Sequence, residues 1–251
     1  MEVRRNRVRL DALPEDCRPG DTAAAYAVQA AHAGRLAALQ GGAPIGYKIG
    51  CTNVTAQAQL GIDEPFYGRL FPAAVHDSPA RLGADDFFMH VIEAEFAFLM
   101  ADDLPAAAAP YDPDGVASAV GAVMPAVEIV DSRYTDWTTA GAAALIADNG
   151  SHGALVRGQA TAAWRDIDLE AAPVTLSVAG AVVREGAGAN ALGHPLHALA
   201  WLANTLCFSG GGLKAGDLVS TGTCIEVYFA DPADRIRADF GDLGSVEVEF
   251  T

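Results

Sequence analysis

Glu93 and Glu95 stand one residue apart in the run His90-Val91-Ile92-Glu93-Ala94-Glu95-Phe96-Ala97-Phe98, which is otherwise almost wholly apolar. Such a run reads as a buried strand. Side chains on a strand alternate faces, so both glutamates point the same way. Two carboxylates side by side on an apolar strand repel each other and are costly to desolvate. A solvated face with two surface acids is one resolution; a bound divalent cation is the other. A third acid favours the cation. Met124-Pro125-Ala126-Val127-Glu128-Ile129-Val130 is a second apolar, β-prone run with one Glu inside it. Three carboxylates from two strands form a hard, all-oxygen donor set suited to Mg²⁺ or Mn²⁺. No His/Cys pair at zinc spacing accompanies them.

Lys48 is the acid/base candidate. It sits between Gly46 and Gly50 on an otherwise apolar stretch, and the glycines would let a ligand approach the backbone. Burial would lower its pKa and nearby glutamates would raise it. A structural ion pair with an acid on a neighbouring strand is the competing role.

The elements that must position these groups can be read in outline. Asp21 or Thr22 caps an Ala-rich helix that ends at Gly41-Gly42. A short strand follows over 45–50. Thr52 or Asn53 then caps a short helix stopped by Gly61. Residues 66–71 read as a loop or short strand, and 87–100 hold the Glu pair. The pattern predicts helices over 114–124, 138–146 and 195–207. It predicts strands over 154–157, 218–220, 225–229, 235–240 and 245–250, and a hairpin over 174–184 turning at Ala179-Gly180. Strands and helices mix without βαβ alternation, and there is no GxGxxG or GKS/T. The expected fold is α+β, with a mixed, curled β-sheet core and flanking helices. A composition shift near residue 80 suggests a helical N-terminal region, 1–80, packed on a β-rich metal-binding catalytic core, 81–251.

Composition narrows the partners. The chain has 251 residues, and its 16 Lys+Arg against 32 Asp+Glu give a formal net charge of -16. Such a surface repels phosphate backbones, so no nucleic-acid partner is expected. No segment approaches the ~20 apolar residues of a membrane span. Arg4, Arg5, Arg7 and Arg9 precede no apolar run, and read as an ordered arm or interface segment rather than a targeting signal. Cys17, Cys51, Cys207 and Cys224 are scattered, as in a reduced cytoplasmic protein.

Eight segments, in order, then carry a resemblance. GYKIGCT with LGIDEPFYGRLF, IEAEFAF, MPAVEIVDSR, ADNGSHG, LGHPLHALAWLAN, GDLVSTGT and ADFGDLGSVEVEF resemble the fumarylacetoacetate hydrolase superfamily. The nearest branch is that of the 2-keto-4-pentenoate hydratases and 4-oxalocrotonate decarboxylases. The resemblance implies a β-roll core and a Mg²⁺ or Mn²⁺ site built from Glu93, Glu95 and Glu128. It implies a small anionic 2-oxo acid or 2-hydroxydienoate as substrate. It also implies homo-oligomers, and association with a pathway enzyme is plausible. Lys48 would contact the substrate carboxylate or shuttle the enol proton. Ser151, Thr221 and Gly222 would bind substrate. A cation chelated by adjacent carboxylate and 2-oxo oxygens stabilises developing enolate charge, which serves hydration, decarboxylation and carbon–carbon cleavage alike.

Two departures from the family pattern stand out. Hydratases of this branch have Asp in a PDFG-like segment, where this chain has Pro65-Phe66-Tyr67-Gly68. Phe66 cannot activate water, and a drier pocket suits loss of CO₂ or a bulkier apolar substrate. Cys224-Ile225-Glu226 follows the TGT segment where smaller neutral residues are usual, and Glu226 is expected to face outward. His152 is expected to be a spectator or a pocket wall. The leading expectation is a hydratase-like lyase, with a decarboxylase as the alternative. An acylpyruvate-type hydrolase would want a His within 64–71, and none is there. A non-catalytic binder would not need Lys48 and all three glutamates.

Overall fold

The two runs that carry the glutamates are neighbours in one sheet. The computed structural model describes residues 6–251; Arg4 and Arg5 lie outside them. The chain opens with α1 (Thr22–Leu39), β1 (Gly46–Gly50), α2 (Val54–Leu60), β2 (Phe66–Leu70), β3 (Val75–Asp77) and β4 (Ala80–Leu82). Then come β5 (Val91–Met100), β6 (Leu104–Pro105), α3 (Pro113–Ser118), β7 (Val120–Val130), α4 (Ala142–Ala147) and β8 (His152–Arg157). A hairpin of β9 (Pro173–Val178) and β10 (Ala181–Ala187) precedes α5 (Pro195–Phe208). The end is β11 (Gly212–Leu213), β12 (Leu218–Thr223), β13 (Tyr228–Phe229), β14 (Arg235–Asp239) and β15 (Ser245–Phe250).

The main sheet has eight strands in the order β2-β1-β12-β5-β7-β8-β3, with β13 paired to β5. It is mixed: β1 runs parallel to β12 and β3 parallel to β8, while the other pairs are antiparallel. A five-stranded sheet, β10-β9-β14-β15-β4, packs against it. The architecture is the expected α+β one. β1 and β2, which precede residue 80, are hydrogen-bonded members of the main sheet.

Strand period sorts the side chains of β5. Ile92, Ala94, Phe96, Phe98 and Met100 enter the large core, where Val174, Leu176, Ile236, Val246 and Val248 of the second sheet and Leu199, Leu202 and Leu206 of α5 meet them. Glu93, Glu95, Ala97 and Leu99 take the other face. On β7, Val123, Val127 and Ile129 join the large core, leaving Met124, Ala126 and Glu128 on the glutamate face. That second face is also buried: Ala97, Met124, Ala126, Leu155 and Leu218 form an apolar cluster there. An ionisable group placed on it loses its water.

Some elements differ from the sequence expectation. The helix expected over 114–124 is only Pro113–Ser118, capped by Asp112, whose carboxylate accepts the Gly115 N–H at 2.7 Å. Val120–Met124 belong to β7, because Val120 and Val123 gain more by pairing with β5 and burying than helix propensity offers. The helix expected over 138–146 is Ala142–Ala147; Asp136 holds Thr138 in a turn through its N–H and hydroxyl. The strand expected over 225–229 shrinks to Tyr228–Phe229, since the Thr223 hydroxyl folds back onto the Ile225 carbonyl. Asp21 and Asn53 cap their helices, accepting from Ala24 and Ala56. Arg7 and Arg9 tie the N-terminal arm to the carbonyls of Phe87 and Phe88, with both guanidiniums over the Phe88 ring.

Candidate metal centre

Antiparallel register sets Glu93 directly opposite Glu128, with Glu95 opposite Ala126 two residues along. One carboxylate oxygen from each of Glu93, Glu95 and Glu128 lies within 4.8 Å of the others. Glu95 and Glu128 are fully buried, while Glu93 lines a cavity. Each buried glutamate is held by one oxygen and leaves one free. The Ser220 hydroxyl and the Gly222 N–H, the latter at 3.0 Å, donate to Glu95 Oε2. Lys48 Nζ at 3.3 Å and His152 Nδ1 at 2.9 Å reach Glu128 Oε1. Among the described residues, Glu95 Oε1 and Glu128 Oε2 have no hydrogen-bond partner. Buried oxygens are rarely left so, and a cation would satisfy both. The donor set fits a hard divalent ion.

The charges are unbalanced in favour of that ion. Burial pushes Glu93 up to about 7, and the neighbouring Glu128 adds to the shift. Burial also holds Glu95 well above the usual carboxylate range, with Glu128 and Glu93 pushing the same way. Burial opposes ionisation of Glu128 too, but Lys48 and His152 outweigh it and the carboxyl ends below its ordinary value. For Lys48, burial favours the neutral amine. The three glutamates more than offset this, and its pKa rises. The one ammonium among three carboxylates is therefore firmly charged.

Local backbone explains how Lys48 gets there. A Cβ at Gly46 would lie 1.8 Å from the Leu218 carbonyl oxygen, so only glycine permits the β1–β12 approach. Lys48 then pairs with Ser220 across it. A Cβ at Gly50 would meet the Phe66 ring at 3.0 Å and Lys48 Nζ at 3.4 Å. Phe66 is buried, with its ring centroid 5.8 Å from Lys48 Nζ, and forms an apolar wall of the cavity. Asn149, Gly150 and Ser151 have φ of 63°, 67° and 56°. Three successive left-handed residues, two of them not glycine, mark a strained turn. Asn149 holds it by exchanging hydrogen bonds with the Arg69 backbone at 2.8 and 2.9 Å. Arg133 ties down Asp148 just before it. The turn delivers Ser151 to the cavity with its buried hydroxyl lacking a protein partner.

The cavity holds about 630 Å³ and is lined by Lys48, Glu93, Ser151, Phe66 and Thr223, with Trp137 and several aliphatic side chains. Thr221 and Gly222 depart from the expected substrate loop. The Thr221 hydroxyl is bonded to the Phe96 carbonyl at 2.9 Å, and the Gly222 N–H goes to Glu95. A bulge in β12 turns these groups toward the sheet, and Thr223 is the member that lines the cavity. Glu226 is largely exposed and 3.5 Å from Arg184. Cys51 lines the cavity, its thiol pushed by burial up to about 12; Cys224 is buried behind Gly222. His152 touches Glu128 instead of merely walling a pocket. His152, Ser220 and Trp137 escape a reading by period, because each arrives from a bulge or loop. For Ser220 the STGT segment was a usable signal.

Known proteins resemble this chain in sequence and in fold. Residues 53–251 match the family model described as the C-terminal part of fumarylacetoacetate (FAA) hydrolase. A 2-keto-4-pentenoate hydratase of Burkholderia vietnamiensis is 36% identical over 239 residues, covering 95% of this chain and 90% of the relative. A 4-oxalocrotonate decarboxylase of Pseudomonas putida is 33% identical over 206 residues, 82% and 77% of the two chains. The solved 4-oxalocrotonate decarboxylase of Pseudomonas putida G7, complexed with magnesium and adipate, superposes with a TM-score of 0.91 at 29% identity. That match covers 100% of this chain and 94% of the other.

Proposed function

The chain belongs to the fumarylacetoacetate hydrolase family, and on that premise we propose that it is a divalent-metal-dependent lyase of 2-oxo acids or their 2-hydroxydienoate forms. The first reading is hydration in the manner of a 2-keto-4-pentenoate hydratase. The observation that carries the proposal is the convergence of Glu93, Glu95 and Glu128 within 4.8 Å beside the buried Lys48. These three glutamates would hold Mg²⁺ or Mn²⁺. When bound, the cation supplies a Lewis acid for the adjacent carboxylate and 2-oxo oxygens of the substrate.

The chain's own groups do the rest. Lys48 Nζ offers a positive charge and a proton to the substrate's acid end, in a site where low polarisability makes each charge count. The free Ser151 hydroxyl is a donor for the same end of the substrate. Gly222 and Ser220 fix the Glu95 carboxylate, and His152 fixes Glu128 from outside the centre. Phe66 keeps water from one side of Lys48. The same apolar wall favours the second reading, decarboxylation, because it places no acid or base where an added water would need one. The 0.91 superposition on a decarboxylase supports that alternative.

The proposal extends to a cytoplasmic homo-oligomer. All four cysteines are free thiols, and Phe208 and Phe229 are exposed apolar residues suited to a subunit contact. No helix among the described residues is long and apolar enough to cross a membrane.

The deciding experiment incubates the purified chain and Mg²⁺ with 2-hydroxypenta-2,4-dienoate and, separately, with 4-oxalocrotonate. Dienol absorbance and released CO₂ are followed together. Metal-dependent loss of the dienol without CO₂ is the expected result. CO₂ from the second substrate alone would select decarboxylation, and no turnover of either would reject both.

A further inference from the structure

The cavity is built for more than a short acid. At about 630 Å³ it falls in the range that encloses drug-sized ligands, well above what a five-carbon acid fills. Its lining divides by chemistry. Lys48, Glu93 and Ser151 supply the polar end. Leu60 from the end of α2, Trp137 from the loop before α4, and Leu145 from α4 belong to a separate apolar cluster with Tyr134. Trp137 and Leu60 are only partly buried by their neighbours, so the cavity exposes apolar surface that is left open among the described residues.

The charges point the same way. Among the described lining residues Lys48 is the only cation, and it is already 3.3 Å from Glu128. Arg184, which is not among the lining residues, faces the rim residue Glu226 at 3.5 Å, donates to the Val183 carbonyl and lies over the Tyr228 ring. A second carboxylate on the substrate would meet no further cation, only neutral groups such as Gln57 and Asn190 whose amides already donate to the Cys51 and Cys224 carbonyls, and Glu226 at the rim would repel it.

We infer that this centre takes a monocarboxylic 2-oxo acid or dienol whose far end is a bulky apolar group seated against Leu60, Trp137 and Leu145, and that it discriminates against dicarboxylic substrates. The inference rests on the reading of the centre given above. Trp137 is its specificity-determining residue.

The test is calorimetric titration of the Mg²⁺-loaded full chain with pyruvate, 2-oxooctanoate and 2-oxoadipate. The eight-carbon monoacid is expected to bind ~10-fold or more tighter than either of the others, because burying several methylenes outweighs any contact the second carboxylate finds. Trp137→Ala should shrink the ratio of 2-oxooctanoate to pyruvate affinity. Leu60→Arg, on the more accessible α2, should shift preference toward 2-oxoadipate. Equal or tighter binding of 2-oxoadipate to the native chain would overturn the inference, as would unchanged ratios in both variants, and neither result would touch the metal-dependent reading. Failure of pyruvate itself to bind with Mg²⁺ present would remove that reading, and this one with it.

Discussion

At the scale of single residues, substitutions at Glu95, His152 and Phe66 separate metal binding from the choice of reaction. Glu95→Gln keeps the shape and can still accept from Ser220 and Gly222, but it removes the charge from the centre. Turnover should vanish and Mg²⁺ affinity should fall by more than the ~10–100-fold usual for an outer partner, with the thermal midpoint of the metal-free chain preserved. Normal activity at saturating substrate would refute the assignment. His152→Phe should weaken Mg²⁺ binding by ~10–100-fold through loss of the bond to Glu128, a shift that titration calorimetry resolves. Phe66→Asp puts an acid into the cavity wall beside Lys48, and should raise hydration relative to decarboxylation in a product ratio read by NMR. A flat ratio would take Phe66 out of the account. The glutamates were readable from sequence because period two places them on one face of an apolar strand, where charge needs a reason. His152 was not, since a bulge in the β7–β8 pairing brings it in, and Ser220 was legible only through the STGT segment. Thr221 and Gly222 looked like substrate ligands, yet their polar groups turn to the sheet and to Glu95.

At the scale of elements, the centre depends on close backbone approach. A Cβ at Gly68 of β2 would lie 2.4 Å from the Asn149 carbonyl oxygen, so β2 and the strained 149–151 turn fit only with glycine there. Gly68→Ala should destabilise the chain by roughly 1–3 kcal/mol, the usual cost of overpacking, and should raise the KM by displacing Ser151. Denaturant unfolding gives the first quantity, and an unchanged midpoint would mean the turn is more compliant than its hydrogen bonds suggest. Capped helices were well anticipated, since Asp21 and Asn53 advertise local hydrogen bonds. The boundary between α3 and β7 was not. Ala117 to Met124 suits a helix locally, and only the long pairing with β5 makes its second half a strand.

At the scale of the whole molecule, two sheets enclose one apolar core while the main sheet's second face buries unlike charges. The mixed α+β class followed from strands that alternate with no βαβ rhythm, but the order β2-β1-β12-β5-β7-β8-β3 depends on contacts far apart in sequence that no local pattern encodes. Burying the glutamates has a global consequence. Glu93, raised from 4.5 to about 7, and Glu95, raised well above its ordinary value, bind more protons folded than unfolded. The metal-free chain should therefore lose stability as pH rises from about 4.5 to 7. Glu128, shifted down, titrates below that window, and Lys48, shifted up, above it. Thermal midpoints across pH 5–8 should fall without metal, and Mg²⁺ should restore them most at the alkaline end; a rise with pH in the metal-free chain would contradict the burial argument. The most direct test of the central claim is anomalous diffraction from a crystal grown with Mn²⁺. One strong peak is expected within coordination distance of oxygens from Glu93, Glu95 and Glu128 together. A peak that touches only one of them, or lies elsewhere on the chain, would contradict it.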